Sequence, residues 1–169
     1  GTLKISEGIS GFANSAIWLI VGAFLFSRGF IKTGLGKRIA YNLISAFGSS
    51  SLRLAYALAL SDLILAPATP SNTARVGGVI MPITTSLAKA FGSEPQDGPR
   101  KIGSFLMQSI YQVNTITSAM FQTSMAGNTL VAALALQSFG IGITWGDWAM
   151  AAIVPGIIAL IIMPYFIYK

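Results

Sequence analysis

Long apolar runs alternate with short polar groups along the whole chain. Residues 8–27 carry no charged side chain, and residues 54–69 carry only Asp62. Residues 102–146 and 148–168 are also free of charge. A helix rises about 1.5 Å per residue, so about 20 apolar residues are enough to cross the hydrocarbon core of a bilayer. Because only helices and closed barrels span a bilayer, the pattern predicts an all-α, polytopic membrane protein.

Residues 1–53 are predicted to form a membrane-spanning helix, within residues 8–27, and then an amphipathic helix. Asn14 and Ser15 are candidate caps for the first helix, which is expected to start near Ala16. From residue 28 to residue 53 the chain has basic side chains and no acidic one, so the positive-inside rule places this part in the cytoplasm. Four apolar residues recur at every fourth position, at Leu35, Ile39, Leu43 and Phe47. That spacing predicts a helix lying in the membrane interface, and a solvated loop with a short helix is the alternative.

Residues 66–78 interrupt the apolar sequence with a polar corner. Pro67 and Pro70 end any helix before them, because proline lacks a backbone donor and excludes its predecessor from the α region. Three helix-capping residues follow directly: Ser71, Asn72 and Thr73. A second apolar helix then begins at Ala74. The pattern predicts two half-helices meeting at a polar tip, which in lipid must be buried in protein or line a wet cavity.

The two half-helices together occupy residues 54–92. The first, at residues 54–69, is shorter than a relaxed span, and the second carries one internal charge, Arg75. Basic residues flank both outer ends, which assigns both ends to the cytoplasm. A re-entrant hairpin satisfies the lengths and the charges together. Two full spans joined at Pro70 would also return the chain to the same side, and they remain the alternative.

The second half of the chain begins with a polar, turn-rich loop at residues 93–101, which its basic end assigns to the cytoplasm. Residues 102–139 are predicted to form one transmembrane helix, broken where small polar residues cluster at residues 123–128. Polar side chains in such a run have an ordinary alternative role as contacts between helices. An external loop without Lys or Arg follows at residues 140–147. Residues 148–169 are predicted to form a last span, with aromatic residues at both ends that are expected to anchor it in the interfaces: Trp145, Trp148, Tyr165 and Tyr168.

Composition supports a lipid environment and removes several classes of function. Hydrophobic residues make up 53% of the chain and charged residues only 9%, whereas soluble domains have about 25% charged residues. Mean hydropathy is +0.69. The chain has no Cys and no His, and its five carboxylates have no metal-ligand spacing, so neither a metal site nor an enzyme activity is predicted. The net charge of +6 comes from basic residues at the ends of apolar runs, which indicates a membrane protein and no nucleic-acid partner.

Three stretches of the sequence support a resemblance to a known family. SNTARVGGVIMPI, which begins at Ser71, resembles the first Ser-Asn-Thr signature of the divalent anion–sodium symporters, a family of dicarboxylate and tricarboxylate transporters. The similarity extends upstream through FANSAIWLIVGAFLFSRGFIKTGLGKRIA and downstream through TSMAGNTL. It covers essentially the whole chain. The branch it is most similar to contains the bacterial and plastid citrate/succinate and 2-oxoglutarate/malate translocators, which are anion exchangers.

The resemblance implies an architecture and a mechanism. Members of the family contain two inverted repeats, each with a re-entrant hairpin tipped by Ser-Asn-Thr and a broken helix beside it. A transport domain moves like an elevator against a scaffold that also forms a homodimer. Only one Ser-Asn-Thr occurs in this chain, so it corresponds to the first repeat, with residues 1–53 in the scaffold, and a missing second repeat is expected as its partner. The expected location is a bacterial cytoplasmic membrane or a plastid inner envelope.

The same resemblance assigns candidate substrate-binding residues. Ser71, Asn72 and Thr73 match the motif and are expected to bind a substrate carboxylate. Ser124 and Asn128 fall where the broken helix of the family completes that site. Hydroxyl and amide donors at a helix N-terminus do suit an anion. The alternative for the motif residues is a plain helix cap, worth about 1 kcal/mol.

The resemblance implies only part of a sodium site. In sodium-coupled members the tip and the break hold one ion, and the corresponding candidates are Pro67, Ser71, Asn72 and Ser124. Here Pro67 stands where those members tend to have Ser, and the break reads Ser-Met-Ala-Gly where they tend to have Gly-Ser-Pro-Pro. These departures favour sodium-independent exchange, with sodium-coupled symport as the alternative and a structural membrane subunit as a more distant one.

Arg75 lies one turn into the second half-helix. We hypothesise that its fixed positive charge does part of the electrostatic work that sodium does in the coupled members. The alternative is a structural arginine that snorkels or pairs with another residue, with Asp62 as the candidate partner. A carboxylate within a membrane is usually paired or faces a cavity, which supports that partner.

Overall fold

The computed structural model describes residues 4–48, 50–94, 96 and 101–169. Every regular element in these ranges is helical, which confirms the all-α prediction. A single turn at Ile5–Gly8 and a 3₁₀ turn at Ser10–Ala13 come first. The helices that follow are α1 (Ser15–Lys32), α2 (Leu35–Phe47), α3 (Ser51–Leu65), α4 (Asn72–Arg75), α5 (Met81–Ala90), α6 (Ile102–Met120), α7 (Ala126–Phe139) and α8 (Trp145–Tyr168).

The first helix begins within one residue of its predicted start, near Ala16, and extends past the apolar run. α1 begins at Ser15 and continues to Lys32, whereas the uncharged run ends at residue 27. Gly34 then takes a left-handed conformation (φ 69°), which only glycine adopts at little cost, and the chain turns directly into α2. The charged residues Arg28 and Lys32 therefore belong to α1 itself.

Two helical arms are joined by the polar corner, as the sequence predicted. The first arm, α3, is capped by the Ser50 hydroxyl and continues through a 3₁₀ turn at Ala66–Ala68. The second arm runs from α4 through a π-helical turn at Val76–Ile80 into α5. We call residues 66–73 the tip. Of the predicted loop at residues 93–101, residues 95 and 97–100 lie outside the described part of the chain.

The main apolar core lies between the two arms, α2 and α6. Leu58 and Leu65 from the first arm meet Val79 and Ile83 from the second, and Leu106 of α6 closes the cluster. α2 joins this core through its smallest residues, Gly36 and Ala40, which are buried. Two residues of its predicted apolar stripe, Leu35 and Phe47, are exposed instead. An exposed apolar stripe is compatible with the interfacial position, which stays a prediction.

Length does not distinguish a re-entrant arm from a spanning one. Two helices in the described part are long and apolar enough to cross a membrane: Ser51–Ala68, with mean hydropathy 1.3, and Trp145–Tyr168, with 2.3. The first arm is longer than predicted because Ser50 caps it. The last helix starts at Trp145, not at residue 148, because Thr144 and Asp147 form a capping box.

α6 and α8 pack against each other along their lengths, in opposite directions. Near one end the indole N–H of Trp148 donates to the carbonyl of Ala119 at 2.9 Å. Near the other end the rings of Phe105 and Tyr168 meet edge to face at 5.5 Å. Between them Gly156 is buried, and this brings α8 close to Met120, the last residue of α6.

The close approach at Gly156 yields a stability prediction. A β-carbon there would lie 2.6 Å from Cγ of Met120 and 2.7 Å from its Sδ and Cε, so Gly156→Ala forces this buried side chain to move. Overpacking of this kind costs about 1–3 kcal/mol, which exceeds the gain of about 1 kcal/mol in helix propensity. Thermal unfolding of the complete protein in detergent should therefore occur at a lower temperature. Gly146→Ala on the same helix has room, with its nearest atom 3.8 Å away, and is the control. Equal unfolding temperatures for the two variants would contradict the prediction.

Candidate functional site

The tip presents the Ser-Asn-Thr motif at the start of α4. The Ser71 hydroxyl accepts from the backbone N–H of Ala74 at 3.2 Å, which is a helix cap. The Asn72 side-chain oxygen accepts from the backbone N–H of Thr73 at 2.9 Å. Ser71 and Asn72 are half-buried, and Thr73 is exposed. The helix thus begins at Asn72, two residues earlier than predicted, because Ser71 provides the cap.

The break in the second half lies at residues 121–125, between α6 and α7, slightly before the predicted position. Ser124 and Asn128 are both buried there. The Asn128 amide donates to the carbonyls of Ser118 at 2.7 Å and Phe121 at 2.9 Å. The Ser124 hydroxyl lies 2.6 and 2.7 Å from the same two oxygens. Both predicted substrate residues therefore use their donors to satisfy carbonyls that the break has freed.

The structure brings the tip and the break together. The backbone N–H of Ala126, the first residue of α7, donates to the Pro70 carbonyl at 3.0 Å. The Thr123 hydroxyl donates to the Pro67 carbonyl at 2.7 Å. The N-termini of α4 and α7 consequently lie in one region, as expected from the resemblance to the family.

Arg75 is fully buried and links the two arms to the break. Its Nε donates to Asp62 Oδ1 at 2.8 Å, so the ion-paired alternative is what the structure contains. The other guanidinium hydrogens have four acceptors: the carbonyls of Thr69 and Ser124 at 3.1 and 3.2 Å, and the hydroxyls of Thr117 and Ser118 at 3.2 and 3.0 Å. All five N–H groups of the side chain are thereby satisfied, and none is left for a direct contact with substrate.

Asp62 is held from its other side by α6. Its Oδ2 accepts from the Thr117 hydroxyl and from the Asn114 amide, the latter at 3.4 Å. A buried ion pair is tolerated only when its remaining hydrogen-bonding groups are also satisfied, and here they are. Sequence reasoning missed the roles of Thr117 and Ser118. The only signal was the density of polar residues before the break, which also fits ordinary helix contacts.

Two tryptophans at the start of α8 hold the break. The Trp145 indole N–H donates to the Thr123 hydroxyl at 3.0 Å, and its ring stacks on Phe121 at 5.8 Å. Because Thr123 in turn donates to Pro67, a chain of hydrogen bonds runs from α8 through the break to the tip. The polar groups of Trp145 and Trp148 are thus bound within the protein, and their predicted role as interfacial anchors remains a prediction.

The candidate cation ligands are occupied by donors of the protein. The Pro67 carbonyl accepts from Thr123, the Ser124 carbonyl accepts from Arg75, and the Ser71 hydroxyl accepts from Ala74. Asn72 uses its side-chain oxygen on Thr73. In the part of the chain that is described, no three acidic residues come together as a metal site.

Four backbone N–H groups at the two helix N-termini remain available. Those of Ser71 and Asn72 at the tip donate to no group among the described residues, and neither do those of Met125 and Gly127 at the break. Orphan N–H groups of this kind, at the positive end of a helix dipole, suit an anion.

Comparison with known proteins assigns the chain to a family. A family described as the sodium:sulfate symporter transmembrane region matches residues 1–169. A Bacillus subtilis (strain 168) protein provisionally named as the malate transporter YflS is 58% identical over 100% of this chain and 36% of that protein. The chloroplastic dicarboxylate transporter 1 of Spinacia oleracea is 50% identical over 99% of this chain and 30% of its own length. The L-tartrate/succinate antiporter of Escherichia coli (strain UTI89 / UPEC) is 42% identical over 98% of this chain and 34% of its own length.

These matches fix what the chain is and how much of a protein it represents. It spans about a third of the length of the curated relatives it matches. The matched description is that of a transmembrane region, and the helices agree with it, so the chain is an integral, multi-pass membrane protein. It belongs to the sodium:sulfate symporter family, the divalent anion–sodium symporters that its Ser-Asn-Thr motif resembles.

Proposed function

We propose that the complete protein exchanges dicarboxylate anions across the membrane, and that the region between tip and break binds a substrate carboxylate. The observation that carries the proposal is the meeting of the α4 and α7 N-termini, with four backbone N–H groups left unpartnered. The names of its relatives, which include dicarboxylate transporters and a tartrate/succinate antiporter, support the substrate class. Di- and tricarboxylates of the citrate, succinate, malate and 2-oxoglutarate kind are the proposed cargo.

The region between tip and break favours an anion. Each helix N-terminus contributes about half a positive charge, and the Arg75 guanidinium binds the Thr69 and Ser124 carbonyls beside it. The exposed hydroxyl of Thr73 and the amide of Asn72 add donors at the rim, and Ser124 and Asn128 keep the break in shape. We propose that the second repeat, in the part of the protein beyond this chain, supplies the contacts for the other carboxylate.

Contacts of the tip support the re-entrant arrangement. The tip bonds to the break through Pro67 and Pro70, and the break lies between two helices, α6 and α7, of 19 and 14 residues. If α6 and α7 together cross the membrane once, the break and the tip that is bonded to it lie between the two ends of that crossing. This position of the tip also agrees with a substrate site near the midplane of the bilayer.

Loose packing around α1 supports an elevator mechanism. Three cavities follow this helix, with volumes of about 740, 530 and 740 Å³, past α7, the tip and Ala74 in turn. The arms, α6 and α8 instead share continuous apolar clusters. We propose that α1 belongs to the scaffold, which also forms the homodimer, and that the hairpin, the broken helix and α8 move against it.

Exchange without sodium is the favoured mode. The guanidinium of Arg75 binds the carbonyls of Thr69 and Ser124, one from each side of the site, where an ion with oxygen ligands would otherwise bind. A resident cation of this kind cannot dissociate, so its charge is independent of a sodium gradient. We propose that Arg75 compensates part of the negative charge of the substrate from this position, without contacting the substrate.

Counterflow in liposomes tests the proposed function. The complete protein, reconstituted in liposomes loaded with unlabelled succinate or malate, is expected to take up labelled dicarboxylate. Uptake should require the internal dicarboxylate and be the same with and without a sodium gradient. Uptake into empty liposomes that depends on sodium would contradict exchange and favour the symporter alternative. The absence of any dicarboxylate uptake would favour a structural subunit and overturn the proposal.

A further inference from the structure

A cavity of about 740 Å³ lies between α1 and the start of the second arm. Its polar lining comes from one face of α1, where Arg28 and Lys32 are one turn apart and Ser27 precedes them. Ala74, the residue after Thr73, lines the other side. The cavity thus adjoins the candidate substrate site while bearing two positive charges of its own.

Ser27 contributes a polar group to the wall of this cavity. Its side chain is 3% exposed and lies on the same side of α1 as Arg28 and Lys32. A hydroxyl group can donate a hydrogen bond, so it suits a ligand with carboxylate oxygens.

Arg28 and Lys32 have no acidic partner in the described part of the chain. Both are exposed, and neither forms an ion pair with a carboxylate in the described ranges. Their ordinary role would be to orient the protein in the membrane, with its basic side in the cytoplasm. Lys37 and Arg38 on α2 serve that purpose equally well, yet they are not among the residues that line the cavity. Orientation therefore does not explain why two basic residues face this cavity.

We propose that Ser27, Arg28 and Lys32 form a cytoplasmic way-station that binds an anionic substrate before it reaches the tip. The ligand class is the small dicarboxylate or tricarboxylate anion, because an arginine binds a carboxylate with two parallel hydrogen bonds and the lysine beside it adds a second charge. A charged cavity of this kind raises the local concentration of its counter-ion and speeds association. The inference rests on the proposed function and adds a second, one-sided binding site to it.

The test compares exchange measured from the two faces of the membrane. The double variant Arg28→Gln with Lys32→Gln is made in the complete protein, and exchange is measured with labelled succinate from the cytoplasmic face and, separately, from the external face. The KM at the cytoplasmic face should rise about tenfold, the lower end of the range for electrostatic steering. The KM at the external face and the maximal rate should stay within about twofold, because the tip and the break are unchanged. Added salt should raise the cytoplasmic KM of the wild type and not that of the variant.

Lys37→Gln with Arg38→Gln is the matched control, since it removes the same charge from the same side of the membrane. It should leave both KM values at the wild-type level. The way-station is overturned if the Arg28 and Lys32 variant keeps its cytoplasmic KM, if both faces change equally, or if the control pair has the same effect. If the wild type exchanges dicarboxylates and the Arg28 and Lys32 variant has the same cytoplasmic KM, the way-station is rejected and the proposed function is not. If the wild type exchanges no dicarboxylate, both are rejected.

Discussion

Replacing Arg75 with methionine is expected to abolish exchange and to destabilise the protein by about 3–5 kcal/mol, because the buried Asp62 loses its partner. The guanidinium is fully buried, and it connects the first arm, the tip, α6 and the break. Removing it deprives the carbonyls of Thr69 and Ser124 and the Oδ1 atom of Asp62 of their donor. Thermal unfolding of the complete protein in detergent measures the first effect, and counterflow in liposomes measures the second.

A double variant separates the role in folding from the role in transport. Arg75→Met with Asp62→Leu removes both buried charges, and apolar replacement of a buried pair is often neutral for stability. We expect the unfolding temperature to recover while exchange stays absent, because the cation beside the site is still missing. Lys89→Met, which removes an exposed charge from the same arm, is the control and should behave as the wild type. If the double variant exchanges at the wild-type rate, Arg75 has no role beyond holding the fold.

Asn128→Asp is expected to lower the rate of exchange about 100-fold, which corresponds to about 3 kcal/mol at 1.4 kcal/mol per tenfold. The amide donates to two carbonyl oxygens, at 2.7 and 2.9 Å, and a carboxylate in the same position would repel both. It would also place a negative charge beside the free N–H groups of Met125 and Gly127, where the substrate carboxylate is proposed to bind. Initial rates of counterflow, corrected for the amount of folded protein, measure the effect.

Two further variants divide this effect into its parts. Asn128→Ala removes two hydrogen bonds without adding charge, while the Ser124 hydroxyl still reaches the same two carbonyls. The rate should fall about tenfold, since a hydrogen bond contributes about 0.5–1.5 kcal/mol. Gln137→Glu adds the same charge to an exposed position of the same helix and should leave exchange unchanged. An Asn128→Asp protein that exchanges within about threefold of the wild type would show that α7 does not face the substrate.

Local chemistry made the hairpin corner predictable from sequence. Two prolines and three capping residues in succession permit few backbone paths, so the tip and the start of α4 follow from residues within ten positions of each other. Small polar residues in an apolar run likewise indicated the break. Helix ends were less predictable, because they depended on single caps such as Ser50 and Thr144.

Long-range partners were not predictable from sequence. Arg75 and Asp62 are 13 positions apart and could be proposed as a pair, but Thr117, Ser118 and the Ser124 carbonyl lie more than 40 positions away. Nothing in the spacing distinguished a guanidinium bound on all sides from one facing the substrate. Nor could it tell whether Ser124 and Asn128 point to a ligand or to the carbonyls of their own break, because that depends on how the helix ends.

The chain of hydrogen bonds from Trp145 through Thr123 to Pro67 has a practical consequence for observing the protein at work. Indole emission depends on the polarity around the ring, and Trp145 is 43% exposed while its indole N–H is hydrogen-bonded to the break. Any rearrangement between tip and break therefore alters the surroundings of a natural fluorophore. The fluorescence of Trp145 can therefore report such a rearrangement without an added dye, because the indole is one hydrogen bond from the break and two from the tip.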